Sequence, residues 1–303
     1  MHQQPKIGLV TVLYNGKEVL SDFFESVAKQ TYKNFIVYII DNSPNDEAVT
    51  EAQRCVSLYN INAVFIKNND NVGVAKGNNQ GIKAALENEC EYTLLINNDT
   101  VFKENLLQFL LNGMLECNCE MIVPKMYYYD EPSKIWCAGG DFKKINGYIT
   151  VHYGENSIDD GKFKSPLRVN YCPTCCMMIS KSVFYKIGFM DEKYFVYSDD
   201  ADFCYRALQN RIALYTYPSA LLWHKVSSST GGILSDFYLY YGHRNLLYFI
   251  KKHMSLIYYL YAIVFYQCKF IAKLILQKWS LTNYITAQKG FCNGIIIKHD
   301  INY

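Results

Sequence analysis

The residues of this 303-residue chain best able to do chemistry sit in short polar runs. Asn97-Asn98-Asp99 follows the apolar run Leu94-Leu95-Ile96. A lone carboxylate among small polar residues suits a hard cation, Mg²⁺ or Mn²⁺, which takes oxygen ligands and shares them with phosphates. The other reading is a strand followed by an Asn-Asp turn. Asp199-Asp200-Ala201-Asp202 gathers three carboxylates in four positions. Close like charges raise at least one pKa, which suits a general base. An acidic helix start, favoured by capping and the macrodipole, explains the same run, and one Asp can cap while another faces a cleft. Asp202 and Arg206, at i and i+4, can pair along that helix. His224, taken alone, reads as a structural histidine before a ligand. Cys172-Pro173-Thr174-Cys175 has the spacing of a redox or zinc pair, but no second pair follows. The adjoining run Cys175-Cys176-Met177-Met178-Ile179 reads instead as buried small hydrophobes.

The elements that would position these groups alternate. Ile7–Leu13 is a short β-branched run of the kind found in buried parallel strands, ended by Tyr14-Asn15-Gly16. Val19, Leu20, Phe23 and Val27 follow at helical spacing. Phe35–Ile40 is a second strand, ended by Asp41-Asn42-Ser43-Pro44; a helix over about Asp46–Tyr59 and a strand at Ala63–Ile66 come next. Asn71-Val72-Gly73 through Gly81 opens a helix to about Leu86, and Tyr92–Ile96 delivers Asp99. This order predicts a parallel sheet with right-handed crossovers. Asp41, the Asn71–Asn79 loop and Asp99 then gather at one sheet edge, where open α/β sheets bind ligands. Gly73, Gly77 and Gly81 match neither a Walker loop nor G-x-G-x-x-G, but glycines at a helix start let backbone N–H groups approach a ligand. A helix is expected over Lys103–Leu115, then a strand at Met121–Val123 stopped by Pro124. Residues 127–170 read as irregular with short antiparallel strands, a length that is often functional, and acceptor contacts are expected there. A helix follows at Lys181–Ile187, an edge strand at Ala213–Pro218, then Leu221–Val226 and a Ser/Gly loop.

Half the residues are hydrophobic, enough for a substantial core, and the net charge of +2 argues against a nucleic-acid partner. Residues 241–303 carry eight Lys/Arg against one acid, while residues 1–240 carry 22 basic and 27 acidic residues. An acidic body with a basic tail suggests an anionic surface as the tail's partner. Eleven scattered cysteines, and a start that runs straight into a strand, predict a cytosolic, reduced protein. Met254–Tyr266 has no charge, but apolar length reaches a span of about 20 residues only by including Lys269 and Lys273. The tail's tyrosines and Trp279 favour interfaces, so residues 245–280 read as amphipathic helices on the inner face of the cell membrane. The alternatives are a helical hairpin packed on the body or on a second copy in a homo-oligomer, and, less favoured, a true span.

From Ile7 to Asn245 the chain resembles glycosyltransferase family 2, inverting enzymes of the GT-A fold, and within it the bacterial rhamnosyltransferase-like branch. The resemblance is carried in order by Val10-Thr11-Val12-Leu13-Tyr14-Asn15, Asp41-Asn42-Ser43, Asn71-Val72-Gly73 with Asn78-Asn79-Gln80-Gly81, and Leu95 through Thr100. It continues through Asp199–Asp202 with Arg206, Trp223-His224, and Tyr241 through Arg244-Asn245. It implies an α/β GT-A (Rossmann-like) fold: a mixed, mainly parallel sheet flanked by helices, with a C-terminal helical appendage. The catalytic domain would be 1–240, with a nucleotide-sugar half to about 125 and an acceptor half from about 126, and the tail 241–303. Thr11, Tyr14 and Asp41 would line the base and ribose pocket, and Asn71, Gly73 and Asn78 its floor. Asp99 matches the last position of the family's Asp-x-Asp metal motif, with Asn97 where the first Asp often stands and Asn98 between. His224 matches a second ligand to Mn²⁺ or Mg²⁺, which reverses its reading as structural. Asp200 matches the catalytic base, with Asp199 beside it. Thr174-Cys175-Cys176 departs from the family's usual Gly-Ala-type pair. The implied donor is dTDP-rhamnose or a UDP-sugar, and the implied acceptor a glycan or lipid-linked glycan of bacterial surface polysaccharide. The competing classes are a silent glycan-binding or scaffold protein on the same fold, and a nucleotidyltransferase, for which Tyr14-Asn15-Gly16-Lys17 is a poor loop.

Overall fold

A computed structural model describes residues 4–68, 70–145, 147–226 and 234–298. The Ser/Gly loop expected after Val226 falls, over 227–233, outside the described residues. β1 (Ile7–Leu13), α1 (Lys17–Ala28), β2 (Phe35–Asp41), α2 (Glu47–Leu58), β3 (Ala63–Lys67), α3 (Val74–Glu87) and β4 (Tyr92–Ile96) alternate as the sequence predicts. Then come β5 (Thr100–Phe102), α4 (Leu106–Glu116), β6 (Met121–Tyr128), β7 (Ile135–Cys137), β8 (Gly140–Lys143), β9 (Ile149–His152), β10 (Leu167–Val169) and β11 (Cys176–Ser180). α5 (Lys181–Ile187), α6 (Asp199–Gln209) and β12 (Leu214–His224) complete the body, and α7 (Asp236–His253), α8 (Leu256–Ile275) and α9 (Leu281–Ile296) follow.

The main sheet runs β10-β12-β6-β11-β4-β1-β2-β3. β4, β1, β2 and β3 are parallel, and β11 enters antiparallel between β4 and β6. β1 is buried on both faces, as an apolar strand under helices must be. α3 lies hard against it: a Cβ at Gly81 would stand 2.3 Å from a Val10 methyl, and one at Gly77 3.0 Å from Val12. Gly77 and Gly81 therefore serve helix–sheet packing. The expectation that they open backbone to a ligand does not hold for them.

Pro124 does not stop its strand. β6 runs on to Tyr128, and Pro124 sits where β6 leaves β11, paired at Met121 and Ile122, and takes up β7, paired at Met126 and Tyr127. A residue without an N–H is tolerated where no neighbour needs one. Likewise Ala213–Pro218 and Leu221–Val226 are one interior strand, β12, with its register shift between Tyr217 and Leu221 at Pro218.

α7 crosses the boundary expected at 240/241 and packs on the body. Arg244 donates to the Lys193 carbonyl, and Lys252 pairs with Asp191 at 2.8 Å and Asp202 at 2.7 Å. α9 presses on α7 backbone to backbone, since a Cβ at Gly290 would stand 2.2 Å from the Tyr240 carbonyl oxygen. α8 turns Ile257, Leu260, Val264, Ile271 and Ile275 outward, while Lys269 and Lys273 fold over the rings of Tyr266 and Trp279. Among the described residues no helix is long and apolar enough to cross a membrane.

Candidate active site

The carboxyl ends of β1, β2 and β4 open into a cleft of about 590 Å³. Tyr14 and Asn15 line it from the end of β1, Asn42 from β2, Asn71, Gly73 and Asn78 from the α3 approach, and Asn97, Asn98 and Asp99 from β4. Gly73 has φ +85° and passes so close to Phe195 that a Cβ would stand 2.4 Å from its carbonyl oxygen. Only glycine fits that turn. The Asn98 amide donates to the Val12 carbonyl at 3.0 Å and the Asn42 amide to that of Gly73 at 3.1 Å, so the cleft's own asparagines brace its walls. Thr11 and Asp41 lie behind the wall, 0% and 1% exposed. Asp41 accepts from the Ser43 N–H at 3.0 Å; its second oxygen and the Thr11 hydroxyl have no hydrogen-bond partner among the described residues.

Asp99 and His224 meet through sheet register. β5 pairs with β12 so that Thr100 stands opposite His224, and the Lys225 N–H donates to the Asp99 carbonyl at 2.8 Å. The side chains then face each other, His224 Nε2 lying 3.2 Å from Asp99 Oδ1, both nearly buried. The Trp136 ring stands edge-on to His224 at 4.4 Å. One carboxylate oxygen and one imidazole nitrogen suit Mn²⁺ or Mg²⁺. Among the described residues no third His, Cys, Asp or Glu joins them, so such an ion would keep most positions for substrate oxygens and water. The described lining of the cleft holds Glu18 and Asp99 and no Lys, Arg or His. A diphosphate bound there finds amide donors but no cationic side chain, and an added cation supplies what the lining lacks.

Asp200 lines a second cavity of about 410 Å³, with Tyr148, Tyr171, Tyr197, Tyr238 and Phe249 around it. The Tyr171 hydroxyl donates to Asp200 Oδ2 at 2.8 Å, and the Ala201 N–H to Oδ1 at 2.7 Å. Burial raises the Asp200 pKa, and the Tyr171 hydrogen bond opposes that rise. Asp199, buried beside it and lining neither cavity, is raised to about 8 by burial and by the Asp200 charge. Both are pushed upward, Asp199 the further, while the Tyr171 and Ala201 hydrogen bonds favour the charged form of Asp200. Burial would raise Asp202 too, but the His253 hydrogen bond and the Arg206 and Lys252 charges outweigh it and hold its carboxyl below the usual range. Asp202 is thus the buried anchor of α6, salt-bridged to Arg206 at 2.8 Å.

The approach to α6 is strained. Tyr197 and Ser198 both take positive φ, 63° and 61°. The buried Asn245 of α7 holds this turn, its amide donating to the Val196 and Tyr197 carbonyls at 2.6 and 3.0 Å. The two cavities flank one wall: Phe195, Val196 and Phe237 face the first, and Tyr197, Ser198 and Tyr238 the second. A relay of rings, His224–Trp136–His152–Tyr171, leads from Asp99 to Asp200. The Cys172–Cys175 pair is two buried free thiols, as its apolar surroundings predict.

The family model for glycosyl transferase family 2 matches residues 9–188, more than half the chain. The chain belongs to glycosyltransferase family 2. Relatives include the glycosyltransferase GlyG of Streptococcus pneumoniae, 25% identical over 62% of this chain and 61% of its own. The low-salt glycan biosynthesis hexosyltransferase Agl10 of Haloferax volcanii is 25% identical over 68% of this chain and 62% of its own. The dTDP-rhamnosyl transferase RfbF of Shigella flexneri is 23% identical over 84% of both. The chain thus spans about three fifths of the first two relatives. The GT-A fold is shared with GalNAc-T7, solved with UDP, GalNAc and Mn²⁺, at TM-score 0.61 and 14% identity over 82% of this chain and 48% of that one. It is also shared with the mannosyltransferase PcManGT of Pyrobaculum calidifontis, solved with GDP-Man and Mn²⁺, at 0.59 and 10% identity over 97% and 86%.

Sequence reasoning did not find the aromatic residues. Tyr171, Tyr148 and Trp136 come from the irregular middle of the chain, and Tyr238 and Phe249 from α7. Tyrosine density over 127–171 was the available signal; no spacing rule singles out these positions.

Proposed function

We propose that the chain is an inverting, metal-dependent glycosyltransferase that moves a sugar from a nucleotide-diphospho-sugar to a hydroxyl of a glycan or lipid-linked glycan. The observation that carries this reading is Asp200: a half-buried carboxylate held by Tyr171 in one cavity, one wall away from an amide-lined cleft with Asp99 at its end. The nucleotide and diphosphate occupy the cleft, braced by Asn15, Asn42, Asn71 and Asn98. Asp99 and His224 hold Mn²⁺ or Mg²⁺, which when bound supplies positive charge for the departing diphosphate. Asp200 accepts the proton of the attacking hydroxyl. The new bond forms between that oxygen and C1 while the bond from C1 to the diphosphate oxygen breaks, its electron pair leaving with the diphosphate. One displacement inverts C1. Asp199, protonated, keeps a second charge from forming beside the base.

The rhamnosyltransferase-like pattern and the likeness to a dTDP-rhamnosyl transferase favour dTDP-rhamnose as donor, with UDP-sugars second, in building bacterial surface polysaccharide. The outward apolar face of α8, in three helices with no acid between Phe237 and Lys298, supports a peripheral place on the inner face of the cell membrane. The test is a panel of dTDP-, UDP- and GDP-sugars with Mn²⁺ or Mg²⁺, scored for thermal stabilisation and slow donor hydrolysis. Stabilisation and hydrolysis by one nucleotide sugar, abolished by chelation, is the expected result; silence across the panel refutes the reading.

A further inference from the structure

We infer that the cavity beside Asp200 takes an uncharged sugar ring, laid against tyrosine faces, and excludes acidic or phosphorylated sugars. This rests on the reading above that Asp200 faces the acceptor.

The lining is the first ground. Four tyrosines, Phe249, Ile149 and Leu246 surround Asp200, and no Lys, Arg or His is among the described lining residues. A carboxylate or phosphate brought here meets the Asp200 carboxylate with no cationic side chain among the described lining residues, and burial lowers the pKa of His152, stacked behind Tyr171, so that it favours the neutral form. A neutral ring meets none of this. Its C–H face packs on aromatic rings, and its hydroxyls find the polar tips of tyrosines and Thr150. A cavity of about 410 Å³ admits a sugar ring with water around it.

Gly242 is the second ground. It sits inside α7, where glycine is unfavourable compared with alanine. Gly290 and Gly294 of α9 have a packing reason, because a Cβ would stand 2.2 and 2.5 Å from backbone oxygens of α7. Gly242 has none: the three atoms nearest a Cβ there all belong to the Tyr238 ring, the first at 3.7 Å, an ordinary contact. It also lines the cavity. What its missing side chain preserves is open space beside Tyr238.

The test is saturation-transfer NMR on the full chain, with and without UDP and Mn²⁺. The probes are methyl glycosides of neutral hexoses and 6-deoxyhexoses against methyl glucuronide and glucose 6-phosphate. Neutral rings should be saturated at least tenfold more strongly than the anions. Gly242→Leu should abolish their signal with the thermal midpoint unchanged or raised, and Gly242→Arg should move the preference at least tenfold toward the anions. Anions that bind as well as neutral rings overturn the inference, as does neutral binding that survives Gly242→Leu, or no ring binding at all. Donor hydrolysis, measured separately, divides the failures. Hydrolysis without ring binding sinks this inference alone; ring binding without hydrolysis sinks the transferase reading and leaves the cavity's selectivity standing.

Discussion

The two cavities, one wall apart, are built from opposite materials. The cleft at the ends of β1, β2 and β4 is rich in asparagines, with Asp99 at its end, and draws most of its polar lining from the loops that follow the first four strands, while Phe195, Val196 and Phe237 close its far wall. The cavity at Asp200 is lined by tyrosines and gathers β9, the residue Tyr171, the α6 approach and α7, which are far apart in sequence. An asparagine-lined cleft can bind a polar, anionic ligand once a cation is present. A tyrosine-lined cavity can hold an apolar face and, through Asp200, take up one proton. The two should therefore respond independently to mutation.

The largest expected effect separates them at the base. Asp200→Asn keeps the Tyr171 contact but cannot accept a proton, so transfer should fall about 10²–10⁴-fold. Donor-induced thermal stabilisation should stay. If donor binding falls with turnover, the two cavities act as one site and the comparison fails. The mirror experiment is Asp99→Asn, which should lower kcat/KM about a hundredfold by weakening charge stabilisation at the diphosphate. It should remove the Mn²⁺-dependent part of donor stabilisation and leave sugar-ring binding at the second cavity unchanged. Isothermal titration of UDP with and without Mn²⁺ checks the first half, and saturation transfer the second.

The same contrast explains what could be read from the sequence. Strand ends in an alternating chain are local features, so β1, β2 and β4 were legible, as was the placing of Asn97 to Asp99 at the cleft, whereas Thr11 and Asp41, expected to line it, lie behind its wall. His224 taken alone read as structural, and the resemblance made it a ligand; the pairing of β12 with β5 supplies the physical reason, since register sets a residue so far along the chain opposite Thr100. Pro124 misled for the opposite reason: a breaker rule assumes a neighbour on each side, and β6 changes neighbours there. The glycines at the start of α3 suggested backbone N–H groups open to a ligand, and packing on Val10 and Val12 accounts for Gly77 and Gly81. The tyrosine cavity could not be assembled from the sequence. Tyr238, Gly242, Leu246 and Phe249 share one face of α7, but Tyr148, Tyr171 and Tyr197 come from segments far apart in the chain, and no local pattern brings them to that face.

A smaller effect concerns the carboxylates behind the base. Asp199 is held protonated, with its pKa raised to about 8 from 3.8 by burial and the Asp200 charge. A carboxyl raised on folding contributes stability that is fully present below about pH 4 and is lost as pH rises through about 8. Asp202, held below the usual range, has the opposite sign: its contribution is present above about pH 4 and is lost in acid. Asp199→Asn should therefore flatten the fall in urea midpoint between about pH 4 and pH 8 and leave the limb below pH 4 unchanged. A fall as steep as in the parent chain would mean that Asp199 does not hold the proton.

The smallest expected effect sharpens the comparison most, because stability and function should move in opposite directions. Gly242→Ala adds one methyl at 3.7 Å from the Tyr238 ring, within ordinary contact. Helix propensity favours the alanine by about 1 kcal/mol, or roughly 2–4 °C in Tm for a chain of this class. A glycine kept for folding would not leave that gain unused. The methyl occupies space in the tyrosine cavity and none in the asparagine cleft, so KM for a neutral acceptor should rise several-fold while KM for the donor stays constant. If Tm rises and neither KM moves, the space beside Tyr238 is not where the acceptor lies, and the ring must approach Asp200 from the Thr150 side of the cavity.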